Sequence, residues 1–318
     1  MKRETHQSSD GQTAVFKTFP EFSKLTLADK GAYEALIKDY PPLTDTSFAG
    51  LMLWWNLLDS AAISLLNGNI VISYWLPGDE ANSGLSLIGT NAIDESICTI
   101  FDTLRDQGDT VRLVHVPECV TSNIQYPELF RFTPEPDYDE IVYDVSTLYP
   151  RSHLKPSKRA RVEKFLSKAG GEEHVMLKSL DLRIPENQEQ LLQCAREWRG
   201  GGFNFVAKLE EELLAKAIAN ADALDIENIC LYVHGKLYSF MMYQLPTDKR
   251  YVIGTFIRIG QDLPGSTEFM FHACAGWFAE RGIVYINFEQ DLGIQTLRAG
   301  KLALGPTNFF RKYTITPA

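Results

Sequence analysis

A group of polar residues follows a short hydrophobic segment near the C-terminus, and their types and spacing could bind an anionic ligand. Glu289 and Asp291 come directly after the segment, and Gly293 permits a tight turn into a helix. On that helix Arg298 and Lys301 lie three residues apart and share a face. Open α/β sheets bind ligands at the carboxyl ends of their strands, so this position favours a site.

Simpler explanations exist for each of these residues taken alone. Asp291 could be a helix N-cap, since an Asp at that position satisfies the free N–H groups of the first turn. Arg298 and Lys301 could compensate the helix dipole in a last turn, which is worth about 0.3–1 kcal/mol. The chain has no acidic residue after Asp291, however, so these cations, together with Arg311 and Lys312, lack a local partner. Neither explanation accounts for the four charged groups occurring together.

A second concentration of charge lies in residues 151–168, which contain seven Lys or Arg and one Glu. If the segment is helical, Arg161, Lys164 and Lys168 form one stripe, and apolar residues beside it would pack the helix onto the protein. One interpretation is a solvated helix face between two domains. The other is a surface for a phosphate-rich ligand such as RNA, a nucleotide or a lipid headgroup. The candidate residues for polyanion binding are Lys158, Arg159, Arg161, Lys164 and Lys168.

Other kinds of site have little support in the sequence. The six histidines form no HxxxH or HxH pair and no cluster with cysteine, so no metal site is predicted. There is no GxSxG, Walker or dinucleotide-binding motif. The five cysteines are widely spaced without a CxxC pair, which favours reduced thiols and a cytoplasmic location. No apolar run is long enough to cross a membrane, and the sequence leaves the oligomeric state open.

The charge is distributed unequally along the 318 residues. The formal net charge of −10 would argue against binding to nucleic acid if it were uniform. Residues 1–150 carry 9 Lys or Arg against 22 Asp or Glu, whereas residues 151–318 carry 22 against 19. The length also favours two domains. We therefore predict an acidic domain over 1–150 and a basic, candidate active domain over 151–318.

The elements that must position these residues occur in the same order in both halves. Hydrophobic periodicity and turn residues predict two helices, a three-strand meander, a helix, a strand, a helix and a strand in the first half. The second half repeats this order after an additional basic helix, 158–168, and one strand. Asn67-Gly68 and His234-Gly235 are typical of the tight turns between meander strands. The predicted fold class is therefore mixed α+β, with two copies of one unit whose mainly antiparallel sheet is flanked by helices.

The chain resembles the C-terminal domain of phosphatidylglycerol lysyltransferases and its soluble relatives, which form a family of uncharacterised proteins. The resemblance covers about residues 20–315, and its most specific part is the Glu-x-Asp-Leu-Gly…Leu-Arg-x-x-Lys block. The residues that carry it are Tyr40-Pro-Pro-Leu-Thr-Asp-Thr-Ser-Phe48, Trp54-Trp55, Tyr143-Asp144-Val145, Lys158-Arg159-Ala-Arg161-Val-Glu-Lys164-Phe165, Asn287-Phe-Glu289-Gln-Asp291-Leu-Gly293, Leu297-Arg298-Ala-Gly-Lys301 and Lys312-Tyr313.

This resemblance implies two tandem domains of the acetyltransferase-like (GNAT) fold and an acyltransferase that acts without a metal or a required cofactor. The reaction it implies is transfer of an aminoacyl group from aminoacyl-tRNA to an amine or hydroxyl acceptor, either a small molecule or a lipid headgroup. Glu289 or Asp291 would then be catalytic and orient the acceptor, and the 158–168 helix would face the RNA. The residues expected to bind phosphate are Arg298, Lys301 and Lys312.

Two departures from related enzymes affect these expectations. The long membrane-embedded region of the lipid-modifying enzymes is missing, which weakens the case for a lipid acceptor. The pyrophosphate loop of coenzyme-A-dependent relatives is also missing, because Asp262 and Pro264 interrupt the segment 260–265 that would form it. Two alternatives therefore stay open: a small-molecule N-acetyltransferase that uses acetyl-CoA, and a noncatalytic binding module of the same fold.

Overall fold

The computed structural model describes residues 16–55, 62–74, 83–197 and 205–318, and within these it shows two seven-stranded mixed sheets flanked by helices. Among the described residues, the first half contains seven strands and five α-helices. The strands are β1 (Ser23–Lys24), β2 (Ala62–Leu66), β3 (Asn69–Tyr74), β4 (Gly84–Ile88), β5 (Leu113–Pro117), β6 (Phe130–Pro134) and β7 (Glu140–Asp144). The helices are α1 (Lys30–Ile37), α2 (Phe48–Gly50), α3 (Ile93–Gln107), α4 (Glu118–Thr121) and α5 (Val145–Leu148).

The second half contains five further helices and seven further strands among the described residues. The helices are α6 (Pro156–Lys168), α7 (Pro185–Glu197), α8 (Phe205–Ala219), α9 (Ser266–Ala279) and α10 (Gln295–Ala303). The strands are β8 (Val175–Lys178), β9 (Ile226–Val233), β10 (Lys236–Gln244), β11 (Tyr251–Ile259), β12 (Tyr285–Asn287), β13 (Asn308–Phe310) and β14 (Lys312–Pro317).

Local sequence determines several of these elements directly. Asn67 and Gly68 both have positive φ, 53° and 78°, which gives the turn that joins β2 to β3. His234 and Gly235 do the same between β9 and β10, with φ of 50° and 74°. Both turns were predicted from the sequence and are confirmed.

The same unit occurs twice. In the first sheet β2, β3 and β4 form an antiparallel meander, α3 crosses over, and β5 lies parallel to β4. In the second sheet β9, β10 and β11 form the meander, α9 crosses over, and β12 lies parallel to β11. A meander followed by a crossover helix and a parallel strand is the GNAT-like arrangement that the resemblance implied. The mixed α+β fold with two similar units is confirmed.

The two sheets exchange one strand each. The strand order is β1-β2-β3-β4-β5-β14-β6 in the first sheet and β13-β7-β12-β11-β10-β9-β8 in the second. The C-terminal strand β14 therefore completes the first sheet, and β7, from the first half, completes the second. A division at Pro150 stays a prediction for the domain boundary, but it does not separate the sheets, because backbone pairing crosses it in both directions.

In each sheet, a bulged residue with positive φ lies where the exchanged strand pairs with its neighbour. Thr314 of β14 lies opposite both Val114 and His115, and His115 has φ of 54°. Ile141 of β7 bonds to both Phe288 and Glu289, and Glu289 has φ of 57°. A bulge places two residues opposite one and redirects a side chain, so the repeat puts a titratable group at the equivalent point of each unit.

Hydrophobic packing joins the two halves into one body. A shared core contains Ile72 and Val114 of the first sheet together with Phe240 and Phe256 of the second. The other face of the second sheet packs against α6 and α9, where the rings of Phe165 and Phe269 stack with centroids 4.4 Å apart. The sequence predicted that an apolar stripe would dock α6, and its four residues are buried: Val162, Phe165, Leu166 and Ala169.

Candidate active site

A buried polar network lies where the exchanged strands begin. The Lys312 ammonium, at the start of β14, donates to Glu140 Oε1 at 2.8 Å and also to Asp45 Oδ2. Lys312 is 1% exposed and Glu140, at the start of β7, is completely buried. Burial alone would lower the pKa of the Lys312 ammonium, but Asp45 and Glu140 outweigh it and raise that pKa above its ordinary value.

Amide groups complete this network. Glu140 accepts hydrogen bonds from the Thr44 backbone N at 3.0 and 2.9 Å and from Asn287 Nδ2 at 2.5 Å. Gln290 Nε2 donates to Asp45 Oδ1 at 2.9 Å. The network thus connects the loop before α2, the start of β7, the end of β12 and the start of β14. It satisfies groups that would be costly to bury alone.

The role of phosphate ligand predicted for Lys312 does not fit this geometry. Its ammonium is enclosed and neutralised by two carboxylates, so an incoming phosphate would have to replace both of them. The structure instead makes Lys312 part of the junction between the sheets. The sequence could not show this, because Asp45 and Lys312 are 267 positions apart.

Glu289 lies at the carboxyl end of β12, as the sequence predicted, and its carboxyl group has an unsatisfied oxygen. Glu289 Oε1 is buried and has no hydrogen-bond partner among the described residues. Burial raises the pKa of this carboxyl well above its ordinary value; the Lys301 ammonium opposes the effect, and Glu140 and Asp45 add to it. A strained backbone, an orphan polar atom and a shifted pKa at the end of a strand together mark a candidate functional residue.

Lys301 approaches Glu289 from α10, but it binds backbone rather than leaving its charge free for a phosphate. Its ammonium donates to Phe288 O at 2.6 Å, Gln290 O at 2.6 Å and Glu289 O at 3.4 Å. Burial lowers the pKa of this ammonium below its ordinary value, against the opposing carboxylates of Glu289, Asp291 and Glu140. The predicted role in phosphate binding is therefore replaced by a contact to the loop.

Arg298 and Asp291 form an ion pair with each other, contrary to the expectation that Arg298 has no partner. Arg298 Nε and Nη2 donate to the two oxygens of Asp291 at 2.7 and 2.6 Å, and Nη2 donates to Asp137 Oδ1 at 2.7 Å. Asp291 and then Asp137 raise the pKa of the Arg298 guanidinium. Asp291 Oδ1 also accepts from Gly293 N at 3.0 Å, two residues on.

These contacts decide between the explanations for this pair. The N-cap of α10 is Ile294, so Asp291 is not the cap of that helix. Asp291 is 3% exposed and its oxygens are occupied, which makes it a support of the turn rather than a group that can meet a substrate. Arg298 keeps 36% of its side chain exposed, so a phosphate could still reach it, unlike the enclosed ammonium of Lys312.

The basic helix α6 divides into engaged and exposed cations. The Lys158 ammonium donates to Leu304 O, and Arg159 Nη2 donates to Ser152 O at 2.9 Å. Arg161 Nη1 lies 3.0 Å from Glu268 Oε1 of α9. Burial, with the neighbouring Lys155, lowers the pKa of Lys158. Three of the five residues predicted to bind a polyanion therefore make hydrogen bonds or an ion pair within the protein.

Lys164 and Lys168 are the exposed part of the predicted stripe. Both side chains face solvent, and neither has an ion pair with the part of the chain that the structure describes. Arg161 continues the stripe, with 65% of its side chain exposed despite its bond to Glu268. The surface left for a polyanion is thus smaller than the sequence suggested.

Helix α6 also fills the space beside the loop that leads into α9. A Cβ atom built on Gly265 would lie 2.1 Å from Arg161 O, so the two backbones are in direct contact. In the same loop Leu263 N donates to the Tyr238 hydroxyl at 3.1 Å. This is the segment, 260–265, that would have to cradle a pyrophosphate, and it is packed against protein.

Four residues of the site were not identified from the sequence: Asp45, Glu140, Asn287 and Gln290. Asp45 lies within the family segment 40–48, which assigned it no role, and no role was predicted for Glu140. One signal was available, because a charged residue that opens a strand buried on both faces needs a partner. Asn287 and Gln290 lie within the family block, and the resemblance assigned them no role.

The fold is GNAT-like, and the family match supports an acyltransferase of that fold. The family described as "Phosphatidylglycerol lysyltransferase, C-terminal" matches residues 38–316. The chain belongs to this family. Comparison with curated protein sequences gave no match.

Solved structures with the same fold extend over nearly the whole chain. A conserved protein of unknown function from Bacteroides thetaiotaomicron has a TM-score of 0.77, with 21% identity, and the match covers 93% of this chain and 99% of that one. The C-terminal domain of a putative lysylphosphatidylglycerol synthetase from Agrobacterium fabrum has a TM-score of 0.58, 14% identity, and 92% coverage of each chain. FemX has a TM-score of 0.57, 10% identity, and coverage of 94% and 97%.

Two further properties bear on how the protein could act. Among the described helices, none has the length and hydrophobicity needed to cross a bilayer. The described residues also contain no group of three His, Cys, Asp or Glu side chains arranged to hold a metal ion.

Proposed function

We propose that this protein transfers an aminoacyl group from aminoacyl-tRNA to an amine or hydroxyl acceptor. Membership of the family supports the reaction class. The observation that carries the proposal is Glu289, whose buried Oε1 has no hydrogen-bond partner in the part of the chain that the structure describes. It lies just beyond the last pairing of β12 with β11, which joins Ile253 and Asn287. Strand β11 continues to Ile259 without that partner, so the parallel strands separate next to Glu289.

The chemistry suits a carboxyl group with a raised pKa. The acceptor nitrogen or oxygen attacks the carbonyl carbon of the aminoacyl ester, a new amide or ester bond forms, and the bond to the ribose oxygen breaks. The acceptor loses a proton, and the ribose oxygen gains one. Glu289 would take the first proton and return it to the leaving oxygen, which is efficient when its pKa lies near the working pH. Such proton transfer contributes about 10²–10⁴-fold to rate.

The exposed lysines of α6 support an RNA donor. Lys164 and Lys168 lie on one face and form no ion pair with the described residues, and their helix packs against α9 in the same unit as Glu289. Phosphate contacts from such residues are electrostatic and weaken steeply as salt is added. Arg298, partly exposed beside the same loop, is the nearest candidate for the phosphate of the RNA 3′ end or of the acceptor.

The packing of α6 against Gly265 supports a donor other than acetyl-CoA. A CoA pyrophosphate bound at a helix N-terminus needs free N–H groups and space for its oxygens. The backbone of Arg161 occupies the space beside Gly265, and Pro264 supplies no N–H.

The test is transfer of label from aminoacyl-tRNA by the full chain. Lysyl-tRNA with phosphatidylglycerol vesicles is the first pair, followed by a panel of other aminoacyl-tRNAs with soluble primary amines. We expect label to leave one tRNA faster than by spontaneous hydrolysis, and Glu289→Gln to lower the rate by about 100-fold or more. The matched control is Glu128→Gln, at an exposed position remote from the site, which should stay within twofold.

The proposal is wrong if no tRNA in the panel loses label faster than in the absence of protein. A wild-type rate that Glu289→Gln leaves unchanged would keep the reaction but remove Glu289 from it.

A further inference from the structure

The backbone around Glu289 is held on every side, whereas its carboxyl group is not. Glu289 N donates to Asn287 Oδ1 at 2.9 Å, and Glu289 O accepts from Ile141 N at 3.2 Å. The two short bonds of the Lys301 ammonium go to the carbonyls on either side, Phe288 O and Gln290 O, both at 2.6 Å. Both peptide groups of a residue in the left-handed region are thus fixed by side chains and by the exchanged strand.

Lys301 is itself fixed by the fold. No residue within its helix α10 is buried, and Leu304, directly after the helix, packs into the core beside α6 and α9. Polar contacts also attach α10 and Leu304 to β7 and α6. The Tyr143 hydroxyl, from β7, donates to Lys301 O at 2.7 Å, and the Lys158 ammonium donates to Leu304 O. The ammonium of Lys301 is therefore delivered to the loop from a helix whose own carbonyls are tied down.

Asn287 connects the same loop to the first half of the chain. It is completely buried, and its Nδ2 donates to Pro42 O at 3.0 Å and to Glu140 Oε2 at 2.5 Å. Its Oδ1 faces Glu289 N. A single amide thereby links the position of Glu289 to the loop before α2 and to the strand exchange.

We propose that Lys301 and Asn287 are positioning residues that hold Glu289 in its left-handed conformation and so keep its buried Oε1 without a hydrogen-bond partner among the described residues. A left-handed non-glycine residue is strained and persists only where its surroundings impose that conformation. Without the Lys301 ammonium, the loop can relax and the carboxyl can find a partner. This inference rests on the proposed role of Glu289 as the proton-transfer residue.

The experiment combines kinetics with a direct observation of the carboxyl group. Lys301→Met removes the ammonium and keeps much of the side chain, and Lys301→Arg restores a cation in a different shape. Lys236→Met is the matched control, because Lys236 is 76% exposed and pairs with Glu197, at 3.1 Å, on the surface. The Glu289 carboxyl is followed by ¹³C NMR of protein labelled at glutamate Cδ, with the resonance assigned by its loss in Glu289→Gln.

We expect Lys301→Met to lower kcat of aminoacyl transfer by about 10–100-fold with KM within twofold, since misplacing a reacting group by about 1 Å has effects of this size. The Glu289 resonance should shift and titrate at a different pH, Lys301→Arg should recover part of both properties, and Lys236→Met should change neither. If Lys301→Met leaves both kcat and the titration unchanged, the positioning role is refuted even though Glu289→Gln is inactive.

The NMR arm is independent of the reaction. If no aminoacyl transfer is found with any tRNA, the proposed function fails, but a changed Glu289 titration in Lys301→Met still supports the positioning role. Should Lys301→Met not fold, Asn287→Ala gives the second test, because it removes the acceptor for Glu289 N from the opposite side, whereas a Ser hydroxyl could still accept that bond. An unchanged Glu289 titration in that variant would overturn the proposal.

Discussion

Lys312 provides the most demanding test of the strand exchange. Replacing it with Met leaves Glu140, completely buried, and Asp45, whose side chain is 12% exposed, without their shared cation. Removing one partner of a buried ion pair costs about 3–5 kcal/mol, because the remaining charge is uncompensated. We expect a loss of this size at pH 7, which for a chain of 318 residues corresponds to a fall in Tm on the order of 5–8 °C.

The control and the pH dependence make this prediction specific. Arg311→Met changes the adjacent cation, which is 60% exposed and 3.9 Å from Glu118, and should cost less than about 1 kcal/mol. Urea unfolding followed by circular dichroism measures both variants. Because the pKa of the Lys312 ammonium is raised in the folded state, its stabilisation is fully present up to about pH 10, the ordinary Lys range, and is lost only as pH rises through the folded pKa, so the cost of Lys312→Met should stay the same between pH 7 and pH 9. Equal destabilisation by the two variants would refute the account of the junction.

Three further predictions follow from individual groups. The pKa of Glu289 is raised in the folded state, so its carboxyl group lowers the free energy of unfolding as pH rises above about 4.3. Urea unfolding should therefore show Glu289→Gln to be more stable than the wild type at pH 7 and equal to it near pH 4. Equal stability at pH 7 would contradict this. Gly265→Ala places a Cβ 2.1 Å from Arg161 O at a φ of +88° and should lower Tm more than Gly108→Ala, where φ is +75° and no atom lies within 4 Å; a similar fall in both would be unexpected. The pKa of Glu135 is lowered in spite of burial, so this carboxylate stabilises the fold above about pH 4.3 and ceases to do so as pH falls through its folded pKa. Glu135→Gln should therefore make the free energy of unfolding depend less on pH over that acid range. An unchanged pH dependence would exclude a contribution from Glu135.

Local sequence predicted most of the elements because local interactions determine them. The turns at Asn67-Gly68 and His234-Gly235 need positive φ, and those residues accept it. The docking face of α6 follows from helical periodicity alone. The repeat of the unit was visible in the order of the elements, and both meanders with their crossover helices confirm it.

The strand exchange could not be predicted in this way. Strands β7 and β14 have ordinary hydrophobic patterns, and either could complete either sheet. Which sheet each strand joins depends on pairing between distant parts of the chain. A simple division into residues 1–150 and 151–318 therefore did not predict that each sheet takes a strand from the other half of the chain.

The site was predicted by location more accurately than by role. Glu289, Asp291, Arg298 and Lys301 do come together at the end of β12. Their partners changed their roles, since the guanidinium of Arg298 meets Asp137 161 positions away and the Lys301 ammonium meets backbone carbonyls. A count of nearby acids in the sequence cannot detect either kind of partner.

The most direct test of the central claim is the rate at which Glu289→Gln and wild-type protein release labelled aminoacyl groups from tRNA to an acceptor. We predict that the wild type releases the label faster than spontaneous hydrolysis with at least one aminoacyl-tRNA, and that this rate is lower by about 100-fold or more in Glu289→Gln. Equal rates in the two proteins, or no release above background in either, would contradict it.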